Sequence, residues 1–159
     1  MNIVIGSDHA GFVLKEHIKH FLNNTYREVI DVGTGSDESV DYPDFAVQVA
    51  EKVISGEFER GILVCGSGVG MSIVANKIPG ARAVLCLDTD TAQMSRMHND
   101  TNILALAGRR TDDETAQMIV TTWLETEFDG GRHKRRLDKI KNIENKYRNK
   151  TQRSRESQD

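Results

Sequence analysis

Three features of this 159-residue chain predict an α/β fold, a three-layer Rossmann-like arrangement with a five-stranded parallel sheet and helices on both faces. Short apolar runs alternate with helical patterns along the chain, the signature of repeated β-α units. The runs Ile3-Val4-Ile5, Ile62-Leu63-Val64 and Ala83-Val84-Leu85 are continuous rather than alternating, as strands covered by helices on both sides must be. The glycine-rich segment Gly66-Ser67-Gly68-Val69-Gly70 follows one of these runs directly, where a strand would turn into a helix.

Strands are expected near residues 2 to 6, 27 to 32, 61 to 65, 81 to 86 and 102 to 106. Helices are expected near 11 to 24, 43 to 55, 69 to 78, 89 to 98, 112 to 125 and 132 to 149. Asp44 beside Pro43, and Asp112 with Asp113, suit helix starts, while Asn99 is a residue type that often ends a helix. The hydrophobic content of 38% is enough for one core, so residues 1–150 are expected to form a single domain. Residues 151–159 contain no apolar side chain and are expected to be a disordered polar tail. No apolar run reaches membrane-spanning length, and Met1 leads straight into the first strand without a leader, so a cytoplasmic protein is expected. The two cysteines, Cys65 and Cys86, fall at the ends of expected strands and read as reduced thiols.

Ligands of open α/β sheets bind beyond the carboxyl ends of the strands. The first strand delivers Ser7-Asp8-His9-Ala10-Gly11, the third delivers Cys65 with its glycine loop, and the fourth delivers Asp88. The helix after that strand runs out in Arg96-Met97-His98-Asn99-Asp100, and two strand ends with this helix end are expected to bring Asp8, His9, Cys65, Ser67, His98 and Asn99 to one rim. Helix N-termini favour anions and thiolates, which makes Cys65 a candidate nucleophile or base. Each residue also has a plainer explanation. Cys65 would serve as a small core side chain, Asp8 as a helix cap, His9 as a loop residue, and His98 as a cation at a helix C-terminus.

From Arg132 onward there are eleven Lys/Arg against four Asp/Glu, so this segment carries +7 and the remainder −10. Arg132 and Arg136 are four residues apart, on one helical face, and two stacked guanidinium groups suit a phosphate. Arg109, just after the fifth strand, is a third candidate.

Together the segments Ser7-Asp8-His9-Ala10-Gly11, Asp41-Tyr42-Pro43, Cys65-Gly66-Ser67-Gly68-Val69-Gly70, Ala75-Asn76-Lys77, Ser95 to Asn102 and Gly130-Gly131-Arg132-His133 with Arg136 resemble the ribose-5-phosphate isomerase B family. Its relatives include the galactose-6-phosphate isomerase subunits. The resemblance runs from Ile3 to about Tyr147. It implies an aldose–ketose isomerase of ribose 5-phosphate, with allose 6-phosphate or galactose 6-phosphate as alternative substrates. Cys65 resembles the family's base for the C2/C1 proton transfer, and His98 its acid for ring opening. The backbone of Gly66, Ser67, Gly68, Val69 and Gly70, with the Ser67 hydroxyl, would stabilise the enediolate oxygen. Asp8 and Asn99 resemble sugar contacts, and His9, Arg109, Arg132 and Arg136 substrate contacts largely around the phosphate. The resemblance further implies no metal or organic cofactor, and a homodimer, or a dimer of dimers, with active sites at the subunit interface. Many relatives carry Thr at the position of Ser67, which keeps the hydroxyl; Met71 stands where another branch supplies a Glu.

Two other classes compete. Asp88, about 20 residues beyond the glycine loop, has the place of a ribose-binding acid in dinucleotide enzymes. The loop, however, reads GxGxG rather than GxGxxG. A non-enzymatic sugar-phosphate or nucleic-acid binding module would use the basic tail, which holds one aromatic, Tyr147, and so no stacking platform for bases. Neither nucleic acid nor membrane is expected as a partner.

Overall fold

Five parallel strands, β1 (Asn2–Ser7), β2 (Glu28–Asp31), β3 (Arg60–Cys65), β4 (Ala83–Leu85) and β5 (Ile103–Ala107), form one sheet in the order β2-β1-β3-β5-β4. Around them run α1 (Phe12–Asn23), α2 (Tyr42–Ile54), α3 (Val69–Ala75), α4 (Thr89–Asn99), α5 (Asp113–Glu125) and α6 (Gly131–Glu156). The computed structural model describes residues 1–25 and 28–156. It divides into two compact units, Met1–Phe128 and Asp129–Asp159, so the boundary expected at residue 150 falls inside α6. Helical backbone continues to Glu156, past the start expected for a disordered tail at 151; residues 157–159 lie outside the described residues, as do Tyr26 and Arg27 at the start of the second expected strand. No helix of the described residues is long and apolar enough to cross a membrane.

Handedness sorts the helices onto two faces. The chain moves one way along the sheet from β1 to β2 and the other way from β2 to β3 and from β3 to β4. Right-handed crossovers therefore put α1 on one face and α2 and α3 on the other. The return from β4 to β5 brings α4 back to the α1 side, where α5 joins it. Alternate strand residues feed the two cores. Ile3, Ile5, Ile62, Val64, Leu104 and Leu106 pack with Leu14, Ile18, Ile119 and Trp123, while Val4, Leu63, Cys65, Ile103 and Ala105 pack with Val49, Ala50, Met71 and Ala75. The three-layer, Rossmann-like architecture expected from the sequence is the one observed.

Two local differences have chemical causes. Helix α3 stops at Ala75 rather than at 78 because the Asn76 side chain turns back. Its amide donates to the Ser72 and Ala83 carbonyls (2.9 and 2.8 Å) and accepts from the Ala83 N–H (2.9 Å), competing with helix propagation. Residues His9–Gly11 form a short 3-10 turn before α1, set by Asp8, whose Oδ1 accepts the Gly11 N–H at 2.9 Å.

The loop between β2 and α2 is fastened from below by a buried cation. Lys15 is 1% exposed. Its ammonium donates to Asp31 Oδ2 (2.6 Å) and to the Thr34 carbonyl (2.8 Å), and Lys19 donates to the same carboxylate oxygen at 2.8 Å. Burial raises the Asp31 pKa, but the two ammonium groups and the Gly33 N–H outweigh it and hold the carboxyl below its ordinary range. A carboxylate with a depressed folded pKa adds stability that is present above its unfolded pKa and lost as pH falls through the folded one. Two stability predictions follow this packing. Asp31→Asn should lower the unfolding free energy by about 3 kcal/mol at neutral pH, the gap to the unaltered chain closing as pH falls below about 4, as read by urea denaturation across that range. Leu104→Ala, at a 0% exposed central-strand position, should cost about 3 kcal/mol at any pH in the same assay.

Candidate active site

At the carboxyl edge, β1 and β3 lie side by side, and the helices that leave them depart to opposite faces. This divergence opens a crevice between two neighbouring strand ends. A cleft of about 460 Å³ occupies it. The end of β1 contributes Asp8, His9 and Ala10; the end of β3 contributes Cys65, Gly66, Ser67 and Gly70. Arg109 and Arg110 enter from the end of β5, and Tyr42 from the first turn of α2.

Main-chain bonds hold this rim together. The Asp8 N–H donates to the Val64 carbonyl (3.3 Å), the Gly108 N–H to the Cys65 carbonyl (2.8 Å) and the Arg109 N–H to the Gly66 carbonyl (3.1 Å). The backbones approach so closely that a Cβ on Gly11 would stand 2.2 Å from the Val64 carbonyl oxygen. Pairing of β5 with the glycine loop is what carries Arg109 to the mouth of the cleft.

Cys65 is 4% exposed, and its Sγ accepts the Gly68 N–H at 3.2 Å. That donor is available because Gly68 has φ +74, a left-handed conformation suited to glycine. A Cβ there would also lie 2.4 Å from Leu85 Cδ1. The next N–H, of Val69, donates to Ser67 Oγ at 3.3 Å. Cys86 is 0% exposed; burial first, then the Asp88 carboxylate, push its thiol up to about 12.

His9 is oriented by the loop that Lys15 fastens. The Val40 N–H donates to His9 Nδ1 at 3.2 Å, which puts the ring proton of that tautomer on Nε2. Asp8 both caps the turn and lines the cleft, so its structural and functional readings coexist. Tyr42 and Arg110 line the cleft without having been singled out as site residues from sequence. Tyr42 lies over Gly70, where an added Cβ would meet its ring at 2.8 Å; the Asp41-Tyr42-Pro43 segment was the available signal.

His98 and Asn99 are not at this rim, contrary to expectation. A helix that follows a parallel strand starts at the carboxyl edge and returns to the amino edge. The eleven residues of α4 therefore carry its last turn about 16 Å back along the sheet. There the Asn99 carbonyl accepts from Arg82 Nε at 3.1 Å, just before β5 begins. Asp88 also changes role: its Oδ1 accepts the Thr91 N–H at 2.7 Å, so it caps α4, and the dinucleotide reading loses its acid. Within the second unit, Arg132 Nε donates to His133 Nε2 (3.3 Å) and Arg136 Nη1 stands 3.5 Å from His133 Nδ1. The two guanidinium groups thus share a helix face about one imidazole.

The cleft brings together a thiol, a hydroxyl, an imidazole, a carboxylate and two guanidinium groups, a set for moving protons on a small anion. The chain belongs to the ribose/galactose isomerase family, whose profile matches residues 3–140. It is 51% identical over 142 residues to ribose-5-phosphate isomerase B of Escherichia coli (strain K12), which spans 89% of this chain and 95% of that one. The solved structure of Clostridium thermocellum ribose-5-phosphate isomerase B superposes with a TM-score of 0.91 at 56% identity, covering 92% of this chain and 99% of the other. That of the Mycoplasma genitalium enzyme with bound ribulose-5-phosphate superposes with a TM-score of 0.86 at 42% identity, covering 91% and 96%.

Cys65 lines the cleft, whereas Cys86 is fully buried and its thiol is pushed up. Iodoacetamide at pH 8 should label Cys65 and leave Cys86 unmodified, as read by peptide mass spectrometry. Labelling of Cys86 at a comparable rate would contradict the environments described.

Proposed function

We propose that this chain interconverts ribose 5-phosphate and ribulose 5-phosphate in the cytoplasm, with Cys65 as the base. The observation that carries this reading is the Cys65 Sγ held by the Gly68 N–H inside a cleft that Asp8, His9 and Arg109 also line. His98 donates a proton to the ring oxygen while the C1 hydroxyl gives its own to solvent, and the C1–O4 bond breaks to open the furanose to the aldehyde. The Cys65 thiolate then takes the C2 proton. The C–H electron pair becomes the C1=C2 bond, and the carbonyl pair moves onto O1. The loop N–H groups of residues 66–70 and the Ser67 hydroxyl stabilise that oxyanion. The Cys65 thiol returns its proton to C1 while the O2 proton passes to O1, leaving the ketone at C2. Asp8 and Asn99 hold sugar hydroxyls, and His9, Arg109, Arg132 and Arg136 contact the substrate around the phosphate.

Because His98 and Cys65 of one chain lie at opposite edges of the sheet, a complete site takes His98 and Asn99 from a second copy. The exposed apolar side chains Val69 and Ile73 on α3 and Leu87 after β4 support a homodimer that covers this side of the cleft.

Conversion of ribose 5-phosphate by the purified protein tests the reading directly, with allose 6-phosphate and galactose 6-phosphate run in parallel. Cys65→Ala should lower turnover by about 10³-fold. Arg136→Ala should raise KM more than it lowers kcat. An equimolar mixture of inactive Cys65→Ala and His98→Ala chains, unfolded and refolded together, should recover about one quarter of the unaltered activity, because half the dimers then hold one intact site. No recovery would mean that both residues act within one chain.

A further inference from the structure

The turn that follows His98 and Asn99 is held far more firmly than a helix end requires. Asp100 ends α4 at φ +43, ψ +47, and it is the one non-glycine residue among those described with positive φ. A helix end that needs only this conformation takes glycine or asparagine. Here the aspartate carboxylate is divided between two arginines. Oδ1 accepts from Arg96 Nη1 at 2.7 Å and Oδ2 from Arg82 Nη2 at 2.9 Å.

Each arginine is itself fixed. Arg96, 3% exposed, also donates to the Thr101 carbonyl (2.6 Å) and the Thr126 carbonyl (3.3 Å). Its guanidinium lies 6.0 Å from the centroid of the Trp123 ring. Trp123 Nε1 in turn donates to Thr101 Oγ1 at 2.8 Å, which lies 3.0 Å from Ser95 Oγ. From the other side Arg82 Nε donates to the Asn99 and Asp100 carbonyls at 3.1 and 2.8 Å. Strained backbone persists where its surroundings over-determine it, and such places cluster at functional sites.

We infer that Arg82 and Asp100, backed by Arg96, are positioning residues that set the aim of His98 and Asn99 toward the cleft of a second copy. They touch no substrate and act through the two residues before the turn. This rests on the reading of His98 as the ring-opening acid. Ring opening tolerates misplacement poorly: a shift of about 1 Å in a catalytic group costs about 100-fold. The thiol step depends on a different loop, at the other edge of the sheet.

The two steps are read separately. Ribulose 5-phosphate has no free C5 hydroxyl with which to close a furanose, so exchange of its C1 hydrogen with deuterium oxide reports Cys65 without ring opening. Arg82→Gln removes the more exposed arginine and leaves the part-buried Arg96–Asp100 pair intact. Asp100→Asn keeps the shape and tolerates the left-handed backbone, but withdraws the charge. For both variants, turnover of ribose 5-phosphate should fall by about 100-fold, while deuterium exchange at saturating ribulose 5-phosphate stays within about twofold of the unaltered protein and sedimentation shows the same oligomer. If turnover and exchange fall together, or if neither falls in Arg82→Gln, the positioning role is overturned. Absence of exchange in the unaltered protein would instead overturn the Cys65 assignment and leave turnover as the measure of the turn.

Discussion

The parallel pairing of β1 with β3 is the constraint on which the rest depends. These two strands sit at the centre of the sheet, and right-handed crossovers send the helices after them to opposite faces. That divergence leaves a gap above two adjacent strand ends, and the gap is where Asp8 and Cys65 emerge. Burial of Ile3, Ile5, Ile62 and Val64 on one side and of Val4 and Leu63 on the other fixes the register. A slip of one residue would turn Cys65 away from the face on which Gly68 meets it.

The same directionality that builds the cleft removes His98 from it. Strands run toward the cleft, and helices run back, so whatever a helix carries at its C-terminus is delivered to the far edge. Chemistry divided between a strand end and a helix end is thereby divided between the two edges of the sheet.

Much of this was legible in the residues. Continuous apolar triplets marked the buried strands, and a glycine loop after Ile62-Leu63-Val64 marked the turn that holds Cys65, because these signals are local. The end of α3 was misjudged because Asn76 acts through a bond to Ala83, which no periodicity displays. Tyr42 and Arg110 were not singled out because entry into the cleft depends on how α2 and the β5 loop are set against β3, a tertiary matter. His98 was expected at the carboxyl rim as a helix end beside two strand ends, but α4 (Thr89–Asn99) runs back toward the amino edge, a path that no local pattern displays. The network around Asp100 was equally hidden: Arg82, Arg96 and Trp123 are spread over more than forty residues of sequence and converge only in the folded chain.

The glycine-lined rim has a consequence for how such a protein diversifies. With a Cβ excluded at Gly11 by the Val64 carbonyl and at Gly108 by the Ala10 carbonyl, 2.9 Å away, the main chains beneath the cleft are packed at a spacing that no side chain can enter. That packing resists change by substitution. Tyr42, Arg109 and Arg110 stand at the walls, where size and charge can vary without moving the thiol. Selection for a longer or shorter sugar would therefore act on the walls, while the proton-transfer chemistry beneath is inherited unaltered.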